Sequence, residues 1–149
     1  MKIRGIRKLN GEIKVPGDKS ISHRAIIFGS IAKGETIVHN ILLSEDTLRT
    51  IECFREMGVH IDVDEKTNKV RIIGNGIYSL KMPSKALDCG NSGTTMRLLS
   101  GILVGQDFPS ILVGDDSLRK RPMDRVIIPL SKMGANISGE DNKYSPLRI

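Results

Sequence analysis

Aromatic side chains are scarce: three Phe, two Tyr and no Trp in 149 residues. Proteins that grip single-stranded nucleic acid stack bases on such rings, so a nucleic-acid partner is disfavoured despite the net charge of +6. Cysteine is nearly absent as well. Cys53 and Cys89 are too few and too far apart for a metal motif or a disulfide framework, and both read as reduced core residues. His23, His39 and His60 show no metal-ligand spacing and no carboxylate pair stands out as an acid/base couple, so neither a metal nor a cofactor is implied. No apolar run approaches the ~18 residues that a membrane span needs. The opening MKIRGIRKLNGE is basic and lacks the apolar stretch of a secretion signal. The expectation is a soluble, cytoplasmic protein with no membrane partner, long enough for one core or two small lobes.

Glycine, small hydroxyl residues and cations occur together three times, in PGDKSISHR, GNSGTTMR and GDDSLRKRP. Glycine lets backbone N–H groups face a ligand, Ser and Thr add short donors, and Lys or Arg adds charge. Two of the stretches sit where a helix begins, and a helix N-terminus favours phosphate or carboxylate. Apart from Arg119, Lys120 and Arg121 the basic residues are scattered rather than striped, which favours small polyanions over nucleic acid.

Asn10 and Gly11 between Ile6–Leu9 and Glu12–Val15 predict an N-terminal hairpin, broken by Pro16 and Gly17. A helix follows from Asp18–Ser22 to about Lys33, ended by Gly34. Its body AIIFGSIA is apolar almost all round, which predicts a buried helix aiming a polar N-terminus at something polar. A strand over Thr36–His39, an amphipathic helix opened by Glu45 or Asp46 and stopped by Gly58, a strand at Val59–Val63 and its partner at Val70–Ile73 complete the unit. A second series repeats the order: strand Ala86–Cys89, helix Ser92–Val104, strand Ile111–Val113, helix Met123–Met133, then strands Ala135–Ser138 and Ser145–Ile149. FREMGVHI and LSKMGANI mark the duplication. Pro129 predicts a kink or a late helix start, and the apolar LRI at the end reads as an interrupted strand.

Lys19 in the cap region, with Ser20 and Arg24 four apart on one helical face, can reach one anion. Ser22 and His23 read as capping and supporting residues, and Asp46 as a cap or as an anchor for Lys19. Asn91, Ser92 and Gly93 can form a backbone cradle, with Thr94 donating from the first turn and Arg97 extending the positive field. Arg121 is held in direction by Pro122 and gives planar, bidentate recognition of phosphate or carboxylate, whereas Arg119 and Lys120 are freer.

In this order and spacing the three motifs resemble the first part of the EPSP synthase (3-phosphoshikimate 1-carboxyvinyltransferase) family, over essentially the whole chain. The resemblance implies an α/β fold of repeated βαβαββ units with buried helices, the enolpyruvyl transferase inverted barrel, of which this chain is a partial domain. It divides the chain into a hairpin segment, 1–16, belonging with an absent domain, a first unit, 17–80, and a second unit, 81–149. It implies transfer of the enolpyruvyl group of phosphoenolpyruvate to the 5-hydroxyl of shikimate 3-phosphate in aromatic amino acid and chorismate biosynthesis, by a full-length enzyme that is a monomer. Lys19, Ser20 and Arg24 then resemble contacts to shikimate 3-phosphate, and Lys19, Asn91, Gly93, Thr94 and Arg121 contacts to phosphoenolpyruvate, with Asp46 and Arg97 in support. Lys19 is the one residue the resemblance marks as catalytic, and Gly93 lies where glyphosate, the competitor of phosphoenolpyruvate, packs. His23 in place of an Asn and Leu98 in place of a Pro depart from some members. The family's acid/base carboxylates come from the absent domain, so this piece is expected to be inactive alone. Two rivals are the related UDP-N-acetylglucosamine 1-carboxyvinyltransferase, disfavoured because Ser20 and Arg24 follow Lys19, and a non-catalytic polyanion or RNA-binding module, supported by net charge alone.

Overall fold

The computed structural model describes Gly5, Lys8 and residues 10–149. Asp18 caps the first helix, α1 (Lys19–Ile31), by accepting from the Ile21 N–H at 2.7 Å. The expected run to Lys33 is shortened. Ala32 turns extended and bonds back to the Phe28 carbonyl, so β1 (Lys33–Val38) begins at once and Gly34 lies inside it at φ +106°. Gly74 explains the abrupt stop: a Cβ there would run into the Gly29 and Ala32 carbonyls, so the facing strand crosses directly under the helix end.

Ser44 opens α2 (Glu45–Glu56) through a capping box with Thr47, and Glu45 and Asp46 in the first turn suit the positive end of the helix. Met57 ends it and Gly58 takes φ +85°. β2 (His60–Asp64) and β3 (Lys69–Asn75) then complete a three-stranded antiparallel sheet in the order β1-β3-β2.

The second half contains β4 (Leu87–Asp88), α3 (Gly93–Leu103), β5 (Ile111–Val113), α4 (Asp116–Arg119), α5 (Asp124–Lys132), β6 (Ser138–Glu140) and β7 (Tyr144–Arg148). Its sheet has the order β4-β5-β7-β6, with β4 and β5 parallel and the other pairs antiparallel. The turn α4, capped by Asp115, was not anticipated. Helix α5 runs through Pro129 without a late start. The strand expected at Ala135–Ser138 is displaced to β6, because the Ala135 N–H still serves the helix end by bonding to the Leu130 carbonyl.

Two other expectations need correction. Of the N-terminal hairpin, Ile6, Arg7 and Leu9 lie outside the described residues, and Glu12–Val15 forms no strand, with Ile13 86% exposed. The first unit therefore shows one strand fewer than βαβαββ. Helix α1 is also not buried all round: Ile26 and Ile27 enter the core, but Ile21 and Phe28 are 60% and 63% exposed. Two turns separate them, so they share an outer face that no described residue covers. One apolar core runs through both units, from Ile26, Ile51, Phe54 and Ile72 to Met96, Leu99, Leu112, Leu118 and Ile127.

Candidate active site

Helices α1, α2 and α3 lie side by side with their N-termini at one end. The Lys19 ammonium donates to the Asp46 carboxylate at 2.7 Å, one turn deeper His23 meets Thr50 at 2.8 Å, and Thr50 meets Thr95 at 2.7 Å. The first turn of α1 thus faces that of α2, the second turn of α2 meets the first turn of α3, and their positive ends add rather than cancel. Asp46 accordingly anchors Lys19, while capping falls to Ser44. Half of the Lys19 side chain remains exposed, so it is oriented by Asp46 and still open to a ligand.

Around it the backbone is tightly specified. Ser22 donates to the Asp18 carbonyl at 2.7 Å and accepts from the Leu42 N–H at 2.9 Å, tying the start of α1 to the loop after β1. Gly17 has the Asn40 carbonyl where a Cβ would stand, so only glycine fits at that crossing. Ser20 and Arg24 are exposed, and Arg24 makes no ion pair with any described residue. His23 is fully buried, which holds its pKa below the ordinary imidazole value, with Asp46 raising it and Lys19 lowering it to lesser degrees.

The second and third motifs meet. Ser92 caps α3, accepting from the Thr95 N–H at 3.1 Å, and Gly93 is its first residue. The Asn91 amide donates to Asp115 at 2.8 Å while its carbonyl accepts from the Arg121 guanidinium, which also reaches Ser117 at 3.4 Å. The Asp115 carboxyl sits below the usual carboxylate range, first because it accepts from the Leu118 N–H, then from Asn91, with Arg121 contributing charge. Arg97 donates to the Pro122 carbonyl at 3.2 Å, and its guanidinium lies 2.6 Å from where a Cβ on Gly93 would be. The cradle Asn91–Gly93 and the arm carrying Arg121 are thereby one unit. Thr94 is half-buried in the same first turn. Arg119 points away toward Glu140 at 3.9 Å.

The two groups join through α2, since the Thr95 hydroxyl also lies 3.3 Å from the Asp46 carbonyl. Sequence reasoning missed Thr50, Thr95, Asp115 and Ser117. Asp115 was legible as a helix cap before DSLR; the threonines were not, because a hydroxyl on the inward face of a helix gives no sign of which neighbour it meets. Among the described residues no cluster of His, Cys, Asp and Glu could hold a metal ion, and no helix is long and apolar enough to cross a membrane.

Residues 3–149 match the model of the family described as EPSP synthase (3-phosphoshikimate 1-carboxyvinyltransferase). The chain belongs to that family. It is 60% identical over 142 residues to the 3-phosphoshikimate 1-carboxyvinyltransferase of Lactococcus lactis subsp. lactis, covering 95% of this chain and 33% of that protein. The corresponding protein of Streptococcus suis is 56% identical over 143 residues, 96% of this chain and 33% of its own length. The EPSP synthase of Acinetobacter baumannii superposes with a TM-score of 0.89 at 50% identity, over 93% of this chain and 32% of that one. This EPSP synthase family chain thus spans about a third of the length of the curated relatives it matches. Its mixed α/β fold is that of part of an EPSP synthase.

Proposed function

We propose that the complete protein carrying this chain transfers the enolpyruvyl group of phosphoenolpyruvate to the 5-hydroxyl of shikimate 3-phosphate, releasing phosphate. The chain supplies one wall of the cleft through two units, 17–80 and 81–149. The observation that carries this reading is the alignment of three helix N-termini beside Lys19 and Arg121, each cation held by a polar partner.

The reaction brings two polyanions together, and each charge-assisted hydrogen bond contributes about 1.5–3 kcal/mol. Several cations and N–H groups are therefore needed to overcome repulsion and desolvation. In this reading Ser20 and Arg24 take the phosphate of shikimate 3-phosphate, and Lys19 stands between the two substrates. Asn91, Gly93, Thr94 and Arg121 take phosphoenolpyruvate, and Arg97 supports the cradle. The 5-hydroxyl attacks C2 of phosphoenolpyruvate as C3 gains a proton; phosphate then leaves as the proton on C3 is lost. Lys19 can offset charge on the transferring group throughout. The proton-transfer carboxylates belong to the part of the family fold that lies outside this chain, and holding both reactants in attack geometry needs both walls.

The test is phosphate release with both substrates. The complete protein is expected to turn over, and the 149-residue chain to give none. Failure of the complete protein would defeat the assigned reaction; steady turnover by the chain alone would defeat its division between two walls.

A further inference from the structure

Beneath the two anion loops runs a continuous line of buried polar contacts: His23 Nδ1 to Thr50 Oγ1 at 2.8 Å, Thr50 Oγ1 to Thr95 Oγ1 at 2.7 Å, and Thr95 Oγ1 to Ser92 Oγ at 2.7 Å. All four residues are 0% exposed. The line begins in α1, four residues after Lys19, crosses α2 four residues after Asp46, and ends on the cap of α3 inside the cradle. Its donors run in one direction. Thr95 donates to Ser92 at 2.7 Å in preference to the Asp46 carbonyl at 3.3 Å, and a hydroxyl carries one proton, so Thr50, whose own contact to that carbonyl is 3.4 Å, supplies the proton between the two threonines and accepts from His23 Nδ1–H. That tautomer leaves Nε2 as a bare lone pair, and Nε2 is the imidazole atom that has no partner. A neutral ring, favoured by burial, suits this arrangement. Apolar residues would pack here without the desolvation cost of four polar groups, so the line fixes geometry rather than adding bulk stability.

We propose that His23, Thr50, Thr95 and Ser92 form a buried strut that sets the spacing between the Lys19 loop and the Asn91–Gly93 cradle, making His23 and Thr50 positioning residues for an anion that spans both. This rests on the proposed reading in which phosphoenolpyruvate touches both loops. None of the four needs to touch the ligand: Lys19 and Asp46 above the strut, and Gly93 at its far end, are what it places.

The test titrates phosphoenolpyruvate into the complete protein and follows the backbone amides of this chain's residues by NMR. In the native chain residues 19–24 and 91–94 should respond with one shared Kd. Thr50→Val keeps the shape and removes the hydroxyl; it should weaken binding about tenfold, as expected for one lost buried hydrogen bond, and split the two loops into separate titrations. Thr50→Ser should restore the native Kd to within twofold. Binding by Thr50→Val within twofold of native, with both loops still titrating together, would overturn the strut. A complete protein that shows no response to phosphoenolpyruvate counts against the functional reading instead, and two ligand-free measurements then decide the strut. Imidazole nitrogen shifts should report Nδ1–H on His23, and Thr50→Val should raise amide exchange at residues 92–95 about tenfold while leaving 96–103 unchanged. An Nε2–H tautomer, or unchanged exchange at 92–95, sinks the proposal.

Discussion

In the first unit the Gly58 N–H meets the Arg55 carbonyl and the Val59 N–H meets the Phe54 carbonyl; in the second, Gly134 meets Ser131 and Ala135 meets Leu130 in the same pattern. Gly58 and Gly134 share positive φ, +85° and +93°, and Ile61 and Ile137 that follow are both buried. At the opposite end the units part. In the second, β4 lies parallel against β5; in the first, β1 has β3 on one side and no described strand on the other. The second unit also inserts α4 between its second strand, β5, and α5, and from the end of that insertion Arg121 reaches Asn91. The shared part is the packing that closes a helix onto a strand. The parts that differ are the inserted α4 with the Arg121 arm after it and the side of β1 away from β3.

The sharpest way to break that comparison is in the core. Phe54 is fully buried whereas its counterpart Leu130 is partly exposed. Phe54→Ala should cost about 3–5 kcal/mol by urea denaturation and Leu130→Ala clearly less, because a cavity forms only where neighbours cannot relax or water cannot enter. Equal losses would mean that the units pack alike. Next in size is the inserted arm. In the complete protein Arg121→Ala should weaken phosphoenolpyruvate about ten- to a hundredfold, the equivalent of one charge-assisted contact, and shikimate 3-phosphate much less. Isothermal titration with each substrate checks this, and equal loss for both contradicts the assignment.

The glycine pair sharpens the likeness rather than the difference. Gly58→Ala and Gly134→Ala should each cost about 1 kcal/mol from the left-handed backbone, with Gly58 the worse because the Lys81 side chain stands 3.0 Å from the new Cβ and nothing lies near Gly134. Melting temperatures of the two variants give the comparison. The smallest effect is in pH. His23 has a folded pKa below its ordinary 6.5, so the unfolded chain takes up the proton first as pH falls. Its contribution to stability is full above 6.5 and declines as pH drops toward the folded value. His23→Asn should flatten that slope between neutral and mildly acidic pH, and an unchanged slope would show that His23 does not titrate on unfolding.

Much of the fold was legible because glycine and small polar residues punctuate it. Asp18, Ser92, Met57-Gly58 and Met133-Gly134 stand where helices start and stop, and period-two apolar residues mark β2 and β3. The errors have one non-local and one local cause. Helix α1 stops early because β3 passes beneath its end, and β6 begins late because Ala135 is still bonded to α5. Of the site, the loop cations were legible from their neighbours in the chain, but their partners were not: nothing near Asn91 in sequence points to Asp115 and Arg121 holding its two ends.

The sequence by itself determined which residues can bind an anion and where each helix presents its N-terminus, since capping, glycine conformation and side-chain charge are local properties. Only the tertiary structure decided that Lys19 lies against Asp46, that Arg121 is held by Asn91, and that a line of hydroxyls joins His23 to Ser92. Except for the final Thr95–Ser92 contact, those pairings span 27 or more residues and depend on helices packed side by side, which no local pattern encodes.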